Sequence, residues 1–256
     1  MPIDRNFHAA YQALEERMRD LADTDGDVYL PNLAPDGPVE CVLICMEPSL
    51  DRWAGTPGQA EANVAAGLRN FLWSMEDFIL HYCAREYLCR PGERYHITDL
   101  SKGAMRVNAA GVDRFARYDR WYDLLLEELA LILRADATVV AIGRMVADHL
   151  RRRAFPWEFT QVMHYSGQAA AARRASIRGR KGAFERFANS VSGADLVECA
   201  EALLSNPIVQ PDLRTRILGR LRDSELSESR RQLMFIYMTV FCSIRDAHPP
   251  TLRGAV

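Results

Sequence analysis

Four short apolar runs, each cut off by polar or glycine-containing residues and each followed by a helical pattern, set the architecture of this chain. They are residues 41–46 (CVLICM), 95–100 (YHITDL), 137–142 (ATVVAI) and 160–164 (TQVMH). Short runs without clean alternation are what strands buried on both faces look like, as in a parallel sheet. Helical patterns fill the intervals at about 60–88, 117–134, 144–154 and 168–189. The second of these places Trp121, Leu124, Leu125, Leu129 and Ile132 on one face. Strands alternating with helices predict an α/β fold, a three-layer α/β/α arrangement around a central parallel four-stranded sheet. Residues 4–24 carry Phe7, Tyr11, Leu14, Met18 and Leu21 at helical spacing and predict an N-terminal helix ahead of the sheet. From about 190 the strands stop, and 195–204, 211–221 and 228–246 read as three helices. Residues 1–190 are therefore expected to form the α/β domain and 191–256 a helical C-terminal extension.

Composition excludes several classes. With 32 basic and 34 acidic residues among 256, and 48% hydrophobic, the chain is neither disordered nor low in complexity. The first twenty residues alternate charges and hold no apolar stretch, so a secretory signal is not expected and a cytoplasmic location is. The most apolar late run, 234–244, is about half the roughly 20 residues needed to cross a bilayer, so no membrane partner is expected. Cys41, Cys45, Cys83, Cys89, Cys199 and Cys242 form no C-x-x-C pair and read as reduced core thiols. His8, His81, His96, His149 and His248 show no metal-ligand spacing, so neither metal nor other cofactor is expected.

In open α/β sheets ligands bind beyond the carboxyl ends of the strands, which directs attention to Glu47, Asp99, Gly143 and His164. Two acids and a histidine on different strand ends suit a reaction that needs a carboxylate to orient water and a donor to stabilise a leaving anion. Taken singly, a strand-end carboxylate is more often a helix cap and a lone histidine more often a structural side chain.

The local sequences around these residues add a resemblance. LICMEPS, ITDLSKGA, VVAIGRMVADHL and VMHYSGQ occur in the order and approximate spacing of the uracil-DNA glycosylase superfamily, and the chain resembles that family over residues 40–185. Cys45-Met46-Glu47-Pro48 is similar to the family's G-x-(D/N)-P motif, which puts Glu47 in the place of the water-positioning residue. Ile97-Thr98-Asp99 with Lys102 is similar to I-T-N-x-x-K, so Asp99 stands where an Asn reads the flipped base. Gly143 and Ala147 match the L-G-x-x-A turn, and His164-Tyr165-Ser166-Gly167 resembles the H-P-S-P loop, which implies His164 as stabiliser of the departing base. Members with an iron–sulfur cluster carry Cys after that Lys, whereas Gly103 follows here, so no cluster is implied.

The departures from the family pattern bear on the substrate. An ionised Asp only accepts hydrogen bonds, so Asp99 suits the exocyclic amine of a cytosine-type base; protonated, it could also donate to cytosine N3. Uracil-specific relatives place a bulky Tyr where this chain has Ser49, and a small residue leaves room for a substituent at C5. Excision of plain cytosine would damage the host genome, so the resemblance implies a glycosylase for a 5-modified cytosine of phage DNA, such as glucosylated 5-hydroxymethylcytosine, in anti-phage defence. It would work by flipping the nucleotide out and hydrolysing its N-glycosidic bond to leave an abasic site. Met46 and Phe71 would border the base, Phe71 as a stacking ring or as core. Tyr165 or Gln168 would fill the vacated stack.

Double- or single-stranded DNA is the expected partner, met by a monomer. The net charge of -2 gives no overall attraction, but residues 144–181 hold nine basic side chains against Asp148 and Glu158. Ser166, Arg173, Arg174 and Arg178 follow the His164 loop and are expected at the DNA backbone, with Lys102 a further phosphate contact. Three alternatives stand beside this reading: a uracil-DNA glycosylase of base-excision repair, a non-catalytic binder of modified DNA, and an unrelated α/β hydrolase. The last is weakened by the absence of a G-x-S-x-G elbow, a P-loop and a G-x-G-x-x-G fingerprint.

Overall fold

The computed structural model describes residues 5–50, 53–106, 114–165 and 170–248. After α1 (Arg5–Asp25), a two-residue strand β1 (Val28–Tyr29) precedes the first long strand, β2 (Val39–Cys45). Two helices follow, α2 (Pro57–Ala65) and α3 (Met75–Cys83), the latter running on into a wide π-turn over Ala84–Leu88. Next come β3 (Tyr95–Asp99), β4 (Gly103–Ala104), α4 (Arg114–Ile132), β5 (Leu133–Ile142), α5 (Arg144–Arg152) and β6 (Thr160–Val162). The described chain ends with α6 (Ala170–Ile177), α7 (Lys181–Ser190), α8 (Gly193–Leu204), α9 (Pro211–Arg222) and α10 (Glu228–Ala247).

The four expected strands form one parallel sheet in the order β3-β2-β5-β6. Cys45 lies opposite Asp99, and Ile44 opposite Ala141. The chain leaves β2 towards β3 on one side and later crosses to β5 on the other. In a sheet of this order the loops after β2 and β5 run in opposite directions, and the carboxyl ends of those strands are the place where such sheets bind ligands. A small antiparallel pair, β1 with β4, lies outside this sheet and was not legible as alternation because each strand is two residues long.

Successive residues of a strand point to opposite faces, and here both faces are covered. Cys41, Leu43, Cys45, Val140 and Ile142 join one apolar cluster, whereas Val39, Val42, Ile44, Val139 and Ala141 join another. The second cluster is closed by Tyr118, Tyr122 and Leu125 of α4 and by Val146 and Leu150 of α5. The first is closed by α3 and, unexpectedly, by α10, through Leu233, Tyr237 and Phe241. Tyr237 Oη donates to the Met163 carbonyl at 3.0 Å and so ties α10 to the end of β6. Helix α10 of the C-terminal helical segment thus covers one face of the sheet. The sequence concealed this because a helix packed on a sheet and one packed on other helices share the same 3.6-residue pattern.

The helix expected over 60–88 is broken in two. Gly67 adopts φ +95°, and a Cβ there would lie 1.9 Å from the Ile208 carbonyl oxygen, so the chain must turn at a residue without a side chain. The helix expected over 168–189 is likewise interrupted, by a tight turn at Arg178–Arg180. Among the described residues no helix is long and apolar enough to cross a membrane. Cys41, Cys45, Cys83, Cys89 and Cys199 are buried and unbridged.

Candidate active site

Pairing between β2 and β3 continues past the strands and shapes the carboxyl end of the sheet. Leu100 N donates to Cys45 O at 2.9 Å and Ser101 N to Met46 O at 3.3 Å; further on, Leu50 N donates to Met105 O at 3.0 Å. The loop 46–50 is thereby zipped to 100–105, which fixes Glu47 and Asp99 on neighbouring segments at one end of the sheet.

Asp99 is 3% exposed. The Nδ2 amides of Asn32 and Asn70 both donate to its Oδ2, at 2.9 and 2.8 Å, and Oδ1 carries no hydrogen bond among the described residues. Burial pushes its pKa up to about 7, against the pull of Lys102 and of the two amides. Asn70 is itself clamped: its Oδ1 accepts the Phe71 N–H at 3.0 Å, and its own N–H donates to Pro31 O at 2.8 Å. Phe71 adopts φ +65°, a left-handed conformation that is uncommon for a residue with a Cβ.

Lys102 is 2% exposed, with its side chain buried. Its ammonium donates to Asn32 Oδ1 and Thr98 Oγ1 at 2.6 Å each and to both oxygens of Glu128 at 2.9 Å. The DNA contact expected of it is corrected accordingly: a buried ammonium needs a buried partner, and Glu128 is that partner. Burial alone would raise the Glu128 carboxyl, but the Lys102 charge and the hydrogen bonds from His96 and Thr98 outweigh it and hold the group below the ordinary carboxylate range. Tyr11 of α1 adds a further donor to Glu128 at 3.1 Å. The chain Glu128–Lys102–Asn32–Asp99 therefore reaches the carboxyl end of the sheet from the core.

Glu47, with its side chain 6% exposed, is held from α4. The Tyr118 hydroxyl donates to Oε2, and Arg114 Nη2 lies 2.9 Å from Oε1. Burial raises its pKa, while Tyr118 and Arg114 oppose the shift by favouring the carboxylate. Glu47 thus keeps two fixed positive or donor groups behind it and its charge in a largely dry setting.

Gly143, between β5 and α5, adopts φ +99°, and a Cβ there would approach His164 Cβ and Cδ2 to 3.1 Å. The missing side chain lets the β6 end pack against the β5 end, and His164 then stacks on Tyr165 with ring centroids 4.4 Å apart. All four strand ends are in this way brought to one side of the sheet.

The remaining expected residues divide. The Ser49 hydroxyl is buried without a hydrogen-bond partner among the described residues, and Met46 packs against the α4 and α5 side of the core. Phe71 is 2% exposed and belongs to the core cluster, so its ring serves packing and its backbone positions Asn70. Arg174 and Arg178 are exposed. Arg173 is only 4% exposed; it lines a cavity, and its Nη2 lies 3.4 Å from Ser229 Oγ of α10. Ser166 and Gln168 lie outside the described residues. Of the basic run, Arg152 and Arg153 pair with Asp119 of α4 at 2.9 and 3.4 Å.

Asn32, Asn70, Arg114, Tyr118 and Glu128 were missed from sequence. Only Glu128 left a signal, as a charge between Leu125 and Leu129 on the apolar face of α4, where a buried partner is demanded. Among the described residues no group of three or more His, Cys, Asp or Glu could hold a metal ion. Known protein families, curated proteins and solved structures show no match to the chain.

Proposed function

We propose that the protein is a monofunctional DNA glycosylase that removes a 5-modified cytosine, of the glucosylated 5-hydroxymethylcytosine kind, from phage DNA. The observation that carries this reading is the pair of buried carboxyl groups at adjoining strand ends, Asp99 and Glu47, held by different partners for different tasks.

Asp99 reads the base. Its Oδ2 is saturated by two amides, so Oδ1 is the atom turned to a ligand. A free-protein pKa of about 7 rises further when a base covers the carboxyl and removes the remaining water. Bound, Asp99 is protonated, and Oδ1–H donates to cytosine N3; uracil presents an N–H donor at that position and is rejected. The small side chain of Ser49 leaves space at C5, and its unsatisfied hydroxyl suits a polar substituent there.

Glu47 works on the sugar. Its carboxylate aligns a water on C1′ and stabilises the oxocarbenium-like charge as the N-glycosidic bond breaks. The electron pair of that bond leaves with the base, whose O2 accepts a hydrogen bond from His164. Water oxygen bonds to C1′ and its proton passes to Glu47, leaving an abasic site. Glu47→Gln and Asp99→Asn are each expected to lower abasic-site formation on glucosylated DNA by at least about a hundredfold. Full activity in both variants overturns the proposal.

A further inference from the structure

A cavity of about 490 Å³ lies where α3, α6, α9 and α10 meet Tyr165, a size in the range of small-ligand sites. Its walls carry Arg173, Arg220 and Arg230 against a single carboxylate, Glu76, and two aromatic rings, Trp73 and Tyr165. Three features mark it as built for an anion.

The arginines are placed in depth. Arg173 is 4% exposed, and burial lowers its pKa, the cost of holding a cation away from water. Arg230 is held by Glu76, 2.8 Å from Nε, and by the Glu225 carbonyl, 2.6 Å from Nη1, so its fork is oriented before any ligand arrives. Arg220 is exposed at the mouth, its guanidinium 4.9 Å from the centroid of the Trp73 ring.

The backbone adds to the same field. Helix α10 is twenty residues long, and Ser227 at its N-cap makes no capping bond through its side chain. The first-turn N–H groups of a helix have no acceptor within it and carry the positive end of the dipole. Ser74 lines the cavity from the other side but caps α3 together with Asp77, so the terminus without a side-chain cap is that of α10, from which Ser227, Ser229 and Arg230 line the cavity. Anions collect at such termini.

The rings decide which anion. Arg220 and Arg216 both lie over the Trp73 ring, 4.9 and 5.4 Å from its centroid, Tyr165 stacks on His164, and Trp73 and Tyr165 border the positive floor. Bases stack on such rings irrespective of sequence.

We propose that this cavity is a binding site for a phosphate ester of a nucleotide, with the phosphate at Arg173, Arg230 and the start of α10 and the base against Trp73. The ligand chemistry has two sources, a phosphate within a DNA strand or a free nucleotide. The site does not depend on base excision, and it gives the C-terminal helices a role besides packing.

The test uses the full chain and three probes: inorganic phosphate, thymidine 5′-monophosphate and a short fluorescein-labelled oligothymidylate. Arg220→Ala removes an exposed charge. Ser229→Asp puts a carboxylate into the site at a helix start, where an acidic residue favours folding. Both variants are expected to keep the wild-type thermal midpoint and to bind nucleotide and oligonucleotide at least tenfold more weakly. Arg17→Ala, on the exposed face of α1, leaves binding unchanged. Removing Arg220 should also lower the slope of log K against log salt by about one for the oligonucleotide. Tighter binding of the oligonucleotide than of the mononucleotide assigns the site to a DNA strand, and equal binding assigns it to a free nucleotide. Wild-type affinity in both variants, or no binding of any probe by the wild-type protein, overturns the proposal. Because no base removal is measured, these outcomes are separate from the fate of the glycosylase reading.

Discussion

Asn70 donates to Asp99 Oδ2 at 2.8 Å while its own side-chain oxygen accepts the Phe71 N–H, so a left-handed residue in the core fixes the orientation of a buried acid at the mouth of the sheet. Asn70→Ala removes one of the two amides that favour the Asp99 carboxylate. The pKa of Asp99 should then rise above its value of about 7, measurable as a shift of the basic limb of the pH–rate profile to higher pH. An unshifted limb contradicts the coupling.

Asp99 has opposite consequences for stability and for activity. Its folded pKa of about 7 lies above the ordinary aspartate range, so its contribution to stability is fully present below about pH 4 and is lost as pH rises through 7. Asp99→Asn should therefore unfold at higher temperature than the wild type at pH 8, with the gap closing by pH 5. Melting curves at the two pH values check it, and an equal gap at both would show that ionisation is not the cause.

Tyr118→Phe takes away the hydroxyl that donates to Glu47 and leaves Arg114 as its fixed partner. With one opposing influence gone, burial should raise the Glu47 pKa further and move the acidic limb of the pH–rate profile upward. The rate at high pH should stay within about tenfold of wild type, which separates a positioning role from a collapsed site.

Lys102→Met leaves Glu128 charged among buried groups, and unfolding by urea should show a loss of roughly 3–5 kcal/mol. Adding Glu128→Gln should recover part of it. Additive losses in the double variant would contradict the pairing.

The fold was legible where burial wrote itself into single segments. The runs at 41–46 and 137–142 are almost wholly apolar because they hold the strand stretches covered on both faces, whereas β5 begins earlier, at Leu133, and its exposed Ala135 and Asp136 left no apolar signal. The break at Gly67 was not legible, because a glycine in an alanine-rich helical stretch reads as tolerated until the Ile208 backbone is seen against it. The strand-end positions of Glu47 and Asp99 followed from the ends of the apolar runs. Their holders did not, since Asn32, Asn70 and Tyr118 meet them across sequence separations of 67, 29 and 71 residues. Lys102 was misread for a related reason: a lysine beside a strand end looks like a surface cation unless the glutamate in the α4 stripe is recognised as its partner.

Incubating the purified protein with matched oligonucleotides that carry uracil, cytosine, 5-hydroxymethylcytosine or glucosylated 5-hydroxymethylcytosine, and then cleaving abasic sites, tests the proposed chemistry most directly. Strand breaks confined to the glucosylated base are the predicted result. Breaks confined to uracil, or none with any of the four, would contradict it.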